Sequence, residues 1–144
     1  MGDQQNFEIV QRVYQAFGER NLPVLANLLS VDTEWNFPPT YAGIPWAQKP
    51  ARGRDAVLAA LKLLTEVLEF QVFETDEFIV GKDEVVVLGH ERCRVKATGR
   101  IVEAKWAQIF TVRDGRVARF REYSDSAAWD NGYRASGSGG ASDR

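Results

Sequence analysis

The hydrophobic period of this chain changes once, near residue 70, and that change confines the fold more than any other feature. Upstream, large apolar residues fall at Phe7, Val10, Tyr14 and Phe17, with Ile9, Val13 and Ala16 beside them, which predicts an amphipathic helix ending near Gly18. Asn21 is placed to cap a second, short helix that tolerates Pro23 in its first turn and buries Leu25, Leu28 and Leu29. A third helix is predicted over about residues 55–68. It is apolar on nearly every side, as a helix held between a sheet and other helices would be. From Phe70 the period becomes two, in four strand-like stretches separated by Gly81-Lys82-Asp83, Thr98-Gly99 and Asp114-Gly115. Asp-Gly between alternating runs is a strong hairpin signal. Helices first and sheet second predict an α+β fold built on a four-stranded antiparallel meander.

One earlier strand, from Asp32 to Phe37 and stopped by Pro38-Pro39, is expected to join the meander. Residues 38–52 hold four of the five prolines and the large aromatics Tyr41 and Trp46. This is a long, aromatic loop suited to roofing a cavity, and whether it closes as a lid stays open at this stage. Near the end, Asp125 is expected to cap a helical turn containing Ala127, Ala128 and Trp129. Residues 1–134 are expected to form a single domain, and 135–144, with Ser-Gly-Ser-Gly-Gly inside, a flexible tail.

Composition excludes several function classes. With 144 residues and a net charge of −2 the chain can bury a core and carries no basic footprint, so no nucleic-acid partner is expected. One cysteine, Cys93, allows no internal disulfide or multi-thiolate site, and one histidine allows no His cluster; no metal and no cofactor are expected. No apolar run approaches a membrane span and no signal-peptide pattern opens the chain, so no membrane partner is expected, and a reducing, cytoplasmic location is compatible with the single thiol.

The residues that carry chemistry sit on the strands. In the run Val85 to Val95, side chains alternate, so Val86, Leu88, His90, Arg92 and Arg94 share a face that turns from apolar to ionic. Either this face enters a polar pocket, or it is solvated while Cys93 and Val95 look inward. From residue 102, the inner face is Val102, Ala104, Trp106, Gln108, Phe110 and Val112, which strands the amide of Gln108 in an apolar row where it needs a partner or a ligand. On the last strand neither Ala118, Phe120, Glu122 and Ser124 nor Val117, Arg119, Arg121 and Tyr123 is cleanly apolar.

Three local words add to this pattern: Gly53-Arg54-Asp55-Ala56-Val57, Asp114-Gly115-Arg116-Val117 and Phe120-Arg121-Glu122-Tyr123-Ser124-Asp125. With the element order they make the chain, over about residues 7–129, resemble the nuclear transport factor 2-like superfamily, with its SnoaL-like polyketide cyclases, ketosteroid isomerases and limonene epoxide hydrolases. The resemblance implies a single SnoaL-like, cystatin-like domain: a strongly curved mixed or antiparallel sheet, cone-shaped, closed by N-terminal helices and usually homodimeric through its convex face. It also tips the even-numbered face of residues 85–95 inward.

Carried over from the epoxide hydrolases, the site arginine falls on Arg92, the water-activating acid on Glu122 and the water-orienting amide on Asn36, with Trp35 or Phe37 inward instead if the register slips by one. Arg94 stands where the proton-donating acid belongs, a departure that frees it to hold an anionic group on a substrate. From the ketosteroid isomerases, Phe37 replaces the base and Gln108 the oxyanion-hole acid. Tyr14 adds a second donor, and His90 assists Glu122. Leu64, Trp106, Phe110, Phe120 and Trp129 are expected as pocket wall. The implied function is a cofactor-independent isomerase, aldol-type cyclase or epoxide hydrolase acting by general acid/base chemistry on a small, mostly apolar substrate. The alternative is a non-catalytic ligand-binding or dimerisation domain in which Glu122, Arg92 and Arg94 form a structural ion network.

Overall fold

The computed structural model describes residues 2–37 and 50–134. Two helices open it, α1 (Gly2–Gly18) and α2 (Leu22–Leu28), followed by β1 (Leu29–Asn36), the two-residue β2 (Ala51–Arg52) and α3 (Arg54–Val67). Then come four long strands, β3 (Leu68–Val80), β4 (Glu84–Val95), β5 (Ile101–Arg113) and β6 (Arg116–Ser124), and a closing helix α4 (Ser126–Gly132). The expected roof over residues 38–49 and the expected tail over 135–144 lie outside the described residues. Residues 51 and 52, expected in that loop, instead pair antiparallel with β1 at Trp35 and Glu34.

The sheet has six strands in the order β2-β1-β6-β5-β4-β3, antiparallel except where β1 runs parallel to β6. The hairpin words act as expected. Asp114 and Gly115 both take left-handed backbone, φ 52° and 76°, as a two-residue turn matching the strand twist requires. Register shifts in β3, between Phe70 and Val72 and between Thr75 and Glu77, bend that strand, and another interrupts the β5–β6 pairing after Thr111. The sheet therefore curves around a concave face. Helix α1 packs against β3, β4 and β6, α3 against β1, β2 and β3, and α4 against β5.

The helix ends are settled locally. Asn21 accepts a hydrogen bond from the Val24 N–H at 3.2 Å and Asp125 one from Ala128 at 3.2 Å, so both expected caps form. Helix α1 ends with the Asn21 N–H on the Ala16 carbonyl and the Arg20 N–H on the Phe17 carbonyl, the double bond pattern of a left-handed helix stop. Arg20 occupies its left-handed position, φ 58°, where glycine is usual.

Strand β4 corrects the facing that the resemblance implied for residues 85–95. Its odd-numbered side chains, Val85, Val87, Glu91, Cys93 and Val95, are buried against the helices, and the even-numbered ones lie on the convex face. His90, Arg92 and Arg94 are thus outward. The reason is hydrophobic: turning them inward would expose five odd-numbered side chains, four of them apolar or thiol, and bury three ionic ones.

Candidate active site

Every main element except β2 contributes a wall to one cavity on the concave side, about 60 Å³ in volume. Tyr14 and Phe17 reach it from α1, Trp35 and Phe37 from β1, Leu64 from α3, and Phe70 and Phe73 from β3. Phe110 and Phe120 close it from β5 and β6, and Trp129 from α4. The first strand's register is thereby decided: Trp35 and Phe37 face in, with Trp35 stacked on Phe120 at 4.2 Å between ring centroids. Asn36 faces out, donating from Nδ2 to Glu34 at 3.3 Å. Trp106 is not a wall either. It stacks behind the lining, 6.2 Å from the Tyr14 ring and 5.2 Å from Phe73, and Gly89 opposite it leaves the room its indole needs.

Four polar side chains meet this apolar cavity: Tyr14, Gln108, Glu122 and Glu91. The Tyr14 hydroxyl donates to Gln108 Oε1 at 2.6 Å, and Gln108 Nε2 donates to Glu122 Oε1 at 2.8 Å. A phenol that gives and a carboxylate that accepts leave the amide one orientation. The stranded amide of β5 has found both partners, and Tyr14's one proton is spent on it, so Tyr14 does not meet an enolate as a donor in this arrangement.

Glu91 and Glu122 are 7% and 9% exposed, values that decide their protonation. Burial raises the Glu122 carboxyl to about 7, with the Gln108 hydrogen bond pulling the other way. Burial, then the Glu122 charge, raises Glu91 to about 8, against a weak pull from the Cys93 thiol, whose Sγ lies 3.6 Å from Glu91 Oε1. Both carboxyls are therefore held above the usual carboxylate range, and the titration of one depends on the charge of the other. Burial also pushes the Tyr14 and Cys93 groups upward, so neither ionises readily.

Glu91 is the residue sequence reasoning missed. Its signal was present: a carboxylate among Val85, Val87, Cys93 and Val95 is the same anomaly as Gln108 in the inner row of β5. The expected ionic residues have partners on the far side of the sheet. Arg92 Nε donates to Gln71 at 2.8 Å and its Nη1 pairs with Glu103, while Arg94 Nε pairs with Glu69 at 2.6 Å. His90 lies between Asp76, 2.8 Å from Nδ1, and Glu74, 3.3 Å from Nε2, and the Asp76 hydrogen bond raises its pKa. The expected network of Arg92 and Arg94 with Glu122 therefore does not form. Glu74, Asp76 and His90 hold ligand atoms within 4.8 Å of one another and are the described residues that could share a metal ion, but on the face away from the cavity. No described helix is long and apolar enough to cross a membrane.

The structure is similar to that of a nuclear transport factor 2-like protein from Burkholderia xenovorans LB400, 32% identical, with a TM-score of 0.84 over 92% of this chain and 98% of that one. Two more distant structures share the fold. One, named as a candidate SnoaL-like polyketide cyclase from Jannaschia sp. CCS1, is 20% identical with a TM-score of 0.75 over 90% of this chain and 92% of that one. The other, an LEH-like epoxide hydrolase from Mycobacterium tuberculosis, is 15% identical with a TM-score of 0.70 over 90% of each chain. The SnoaL-like domain pattern matches residues 10–120. With its α+β order, curved mixed sheet and helix-covered concave face, the chain belongs to the SnoaL-like domain family of the nuclear transport factor 2-like fold.

Proposed function

We propose that the protein is a cofactor-independent enzyme that moves protons on a small, mostly apolar carbonyl compound, with Glu122 as general base and Glu91 as general acid. The observation that carries this is a pair of buried carboxylates in one apolar cavity with no cation among the described residues that line it. Such a pair can hold one proton between them, and the different hydrogen-bond partners of the two carboxyls assign the roles. Glu122, with Oε1 occupied by Gln108, keeps Oε2 to take a proton from carbon beside the carbonyl. Glu91, whose carboxyl meets the Cys93 thiol and no amide donor among the described residues, gives its proton to the carbonyl oxygen as the enol forms. Glu122 then delivers the proton it took to a different carbon of the conjugated enol while the enol O–H proton returns to Glu91, completing an isomerisation. An aldol-type closure begins with the same enol. Epoxide opening is less favoured, because among the described residues no guanidinium lines the cavity beside Glu122 to keep it ionised for attack through water.

Proton abstraction is read without knowing the natural substrate, by deuterium exchange beside the carbonyl of small cyclic ketones in D₂O, followed by NMR. The wild-type chain accelerates exchange, and Glu122→Gln lowers it by roughly 10²- to 10⁴-fold. Equal exchange by the two proteins would sink the assignment.

Homodimerisation belongs to the same reading. On the convex face Ile79, Val86 and Ile109 form one cross-strand apolar row and Leu88, Ala107 and Tyr123 the next. Beside them β3 is acidic, with Glu69, Glu74, Asp76 and Glu77, and β6 basic, with Arg116, Arg119 and Arg121. A two-fold axis through the apolar rows would set the acidic β3 of one copy over the basic β6 of the other. Sedimentation should give a dimer that Ile79→Arg dissociates; a wild-type monomer at micromolar concentration contradicts it.

A further inference from the structure

We infer that Arg20 recognises an anionic group on the ligand, so that the substrate class is a small apolar ring compound bearing a carboxylate; this rests on reading the cavity as the acid/base site. The cavity, about 60 Å³, is well under the roughly 300–1,000 Å³ of small-molecule sites. Two surface hollows adjoin it. One of about 190 Å³ shares Tyr14, Phe17, Phe70 and Phe73 with the cavity, and another of about 310 Å³ shares Phe17, Leu25 and Leu61. Phe17 borders all three spaces. Its half-buried ring is the side chain common to all three, so a ligand that displaces it and spans them would occupy a volume in the usual range.

Arg20 borders both hollows and is the sole charged residue lining the smaller one. Its guanidinium carbon sits 5.0 Å from the centre of the Phe17 ring and 5.8 Å from that of Phe70, a cation laid over both rings. One N–H goes to the Phe17 carbonyl at 2.6 Å, and among the described residues no carboxylate pairs with it. A guanidinium has five N–H groups arranged to grip a planar carboxylate, so donors remain for a ligand at the rim. Arg20 also sits in left-handed backbone where glycine would be unstrained, and strain of this kind gathers at sites of function. A ring compound whose body displaces Phe17 toward the carboxylates would leave its acidic group beside Arg20. This gives the cavity the cation that Arg94, on the other face of the sheet, does not supply.

The experiment titrates cinnamate and its neutral amide, cinnamamide, into the full chain by calorimetry at neutral pH. Cinnamate should bind about tenfold more tightly or better, as a charge-assisted pair adds. Arg20→Gly should abolish that preference with an unchanged or higher Tm, because glycine relieves the backbone, and Arg20→Lys should retain part of it. Equal affinity of the wild type for acid and amide, or a preference that survives Arg20→Gly, overturns Arg20 as the anchor and leaves the acid/base cavity standing. Binding of neither probe overturns the anchor as well, while the ketone exchange decides the acid/base reading by itself.

Discussion

The two faces of β4 carry five ionisable groups on five consecutive residues, 90–94, and they obey opposite physics. On the convex face His90, Arg92 and Arg94 each meet an acid on a neighbouring strand, in contact with water. On the concave face Glu91 meets a thiol, aromatic rings and a second acid. An ion pair on a solvated face contributes little to stability, since the Coulomb gain is nearly matched by lost hydration and side-chain freedom. A carboxyl in a dry pocket loses hydration without a cationic partner, and so holds its proton to higher pH. Many charges on one face were thus a weaker sign of a site than one charge in the wrong place.

Titration with pH tests that contrast most severely. For Glu91 and Glu122 the folded pKa is raised, so between about 4.5 and about 8 the folded chain binds more protons than the unfolded one. Their contribution is fully present below the unfolded value and is lost as pH rises through the folded values. Unfolding free energy measured in urea should therefore fall by a few kcal/mol, in order of magnitude, from about pH 5 to about pH 8. In the Glu91→Gln/Glu122→Gln double variant the fall should largely vanish. A wild-type profile that rises over this range would mean the pair is not buried as described.

A smaller effect is expected where the two faces share backbone. A Cβ on Gly89 would come within 2.3 Å of the Trp106 side chain and 2.4 Å of the Glu74 carbonyl oxygen. Gly89→Ala should cost about 1–3 kcal/mol in urea denaturation, and near-UV circular dichroism should report the displaced indole. Smallest of all, Arg92→Ala and Arg94→Ala should each change stability by about 1 kcal/mol or less, with the difference shrinking in high salt. They should leave ketone exchange unchanged. Loss of exchange in either would restore the ionic face to the site.

Much of the fold was legible in local patterns because local forces set it. The caps at Asn21 and Asp125, the Asp114-Gly115 turn and the inner row of β5 all follow from side-chain hydrogen bonds, backbone freedom and strand alternation. The site was legible where an inner row was already fixed, so Gln108 and Phe110 could be read. It was lost on β4, where the alternation of Val85, Val87, Cys93 and Val95 pointed the right way and the family comparison pointed the other. On β3, bulges bring Phe70 and Phe73 to one wall although a period of two sets them on opposite faces. No local signal placed Phe17 and Arg20 at a cavity mouth.

Sequence alone determined the α+β order, the turns, the caps and the family, since each depends on residues near one another in the chain. Only the tertiary structure decided which face of β4 turned inward, and with it that Glu91 would join Glu122. Inside and outside are properties of the assembled sheet and its covering helices, in which burying Val85, Val87, Cys93 and Val95 outweighs leaving one carboxyl among them.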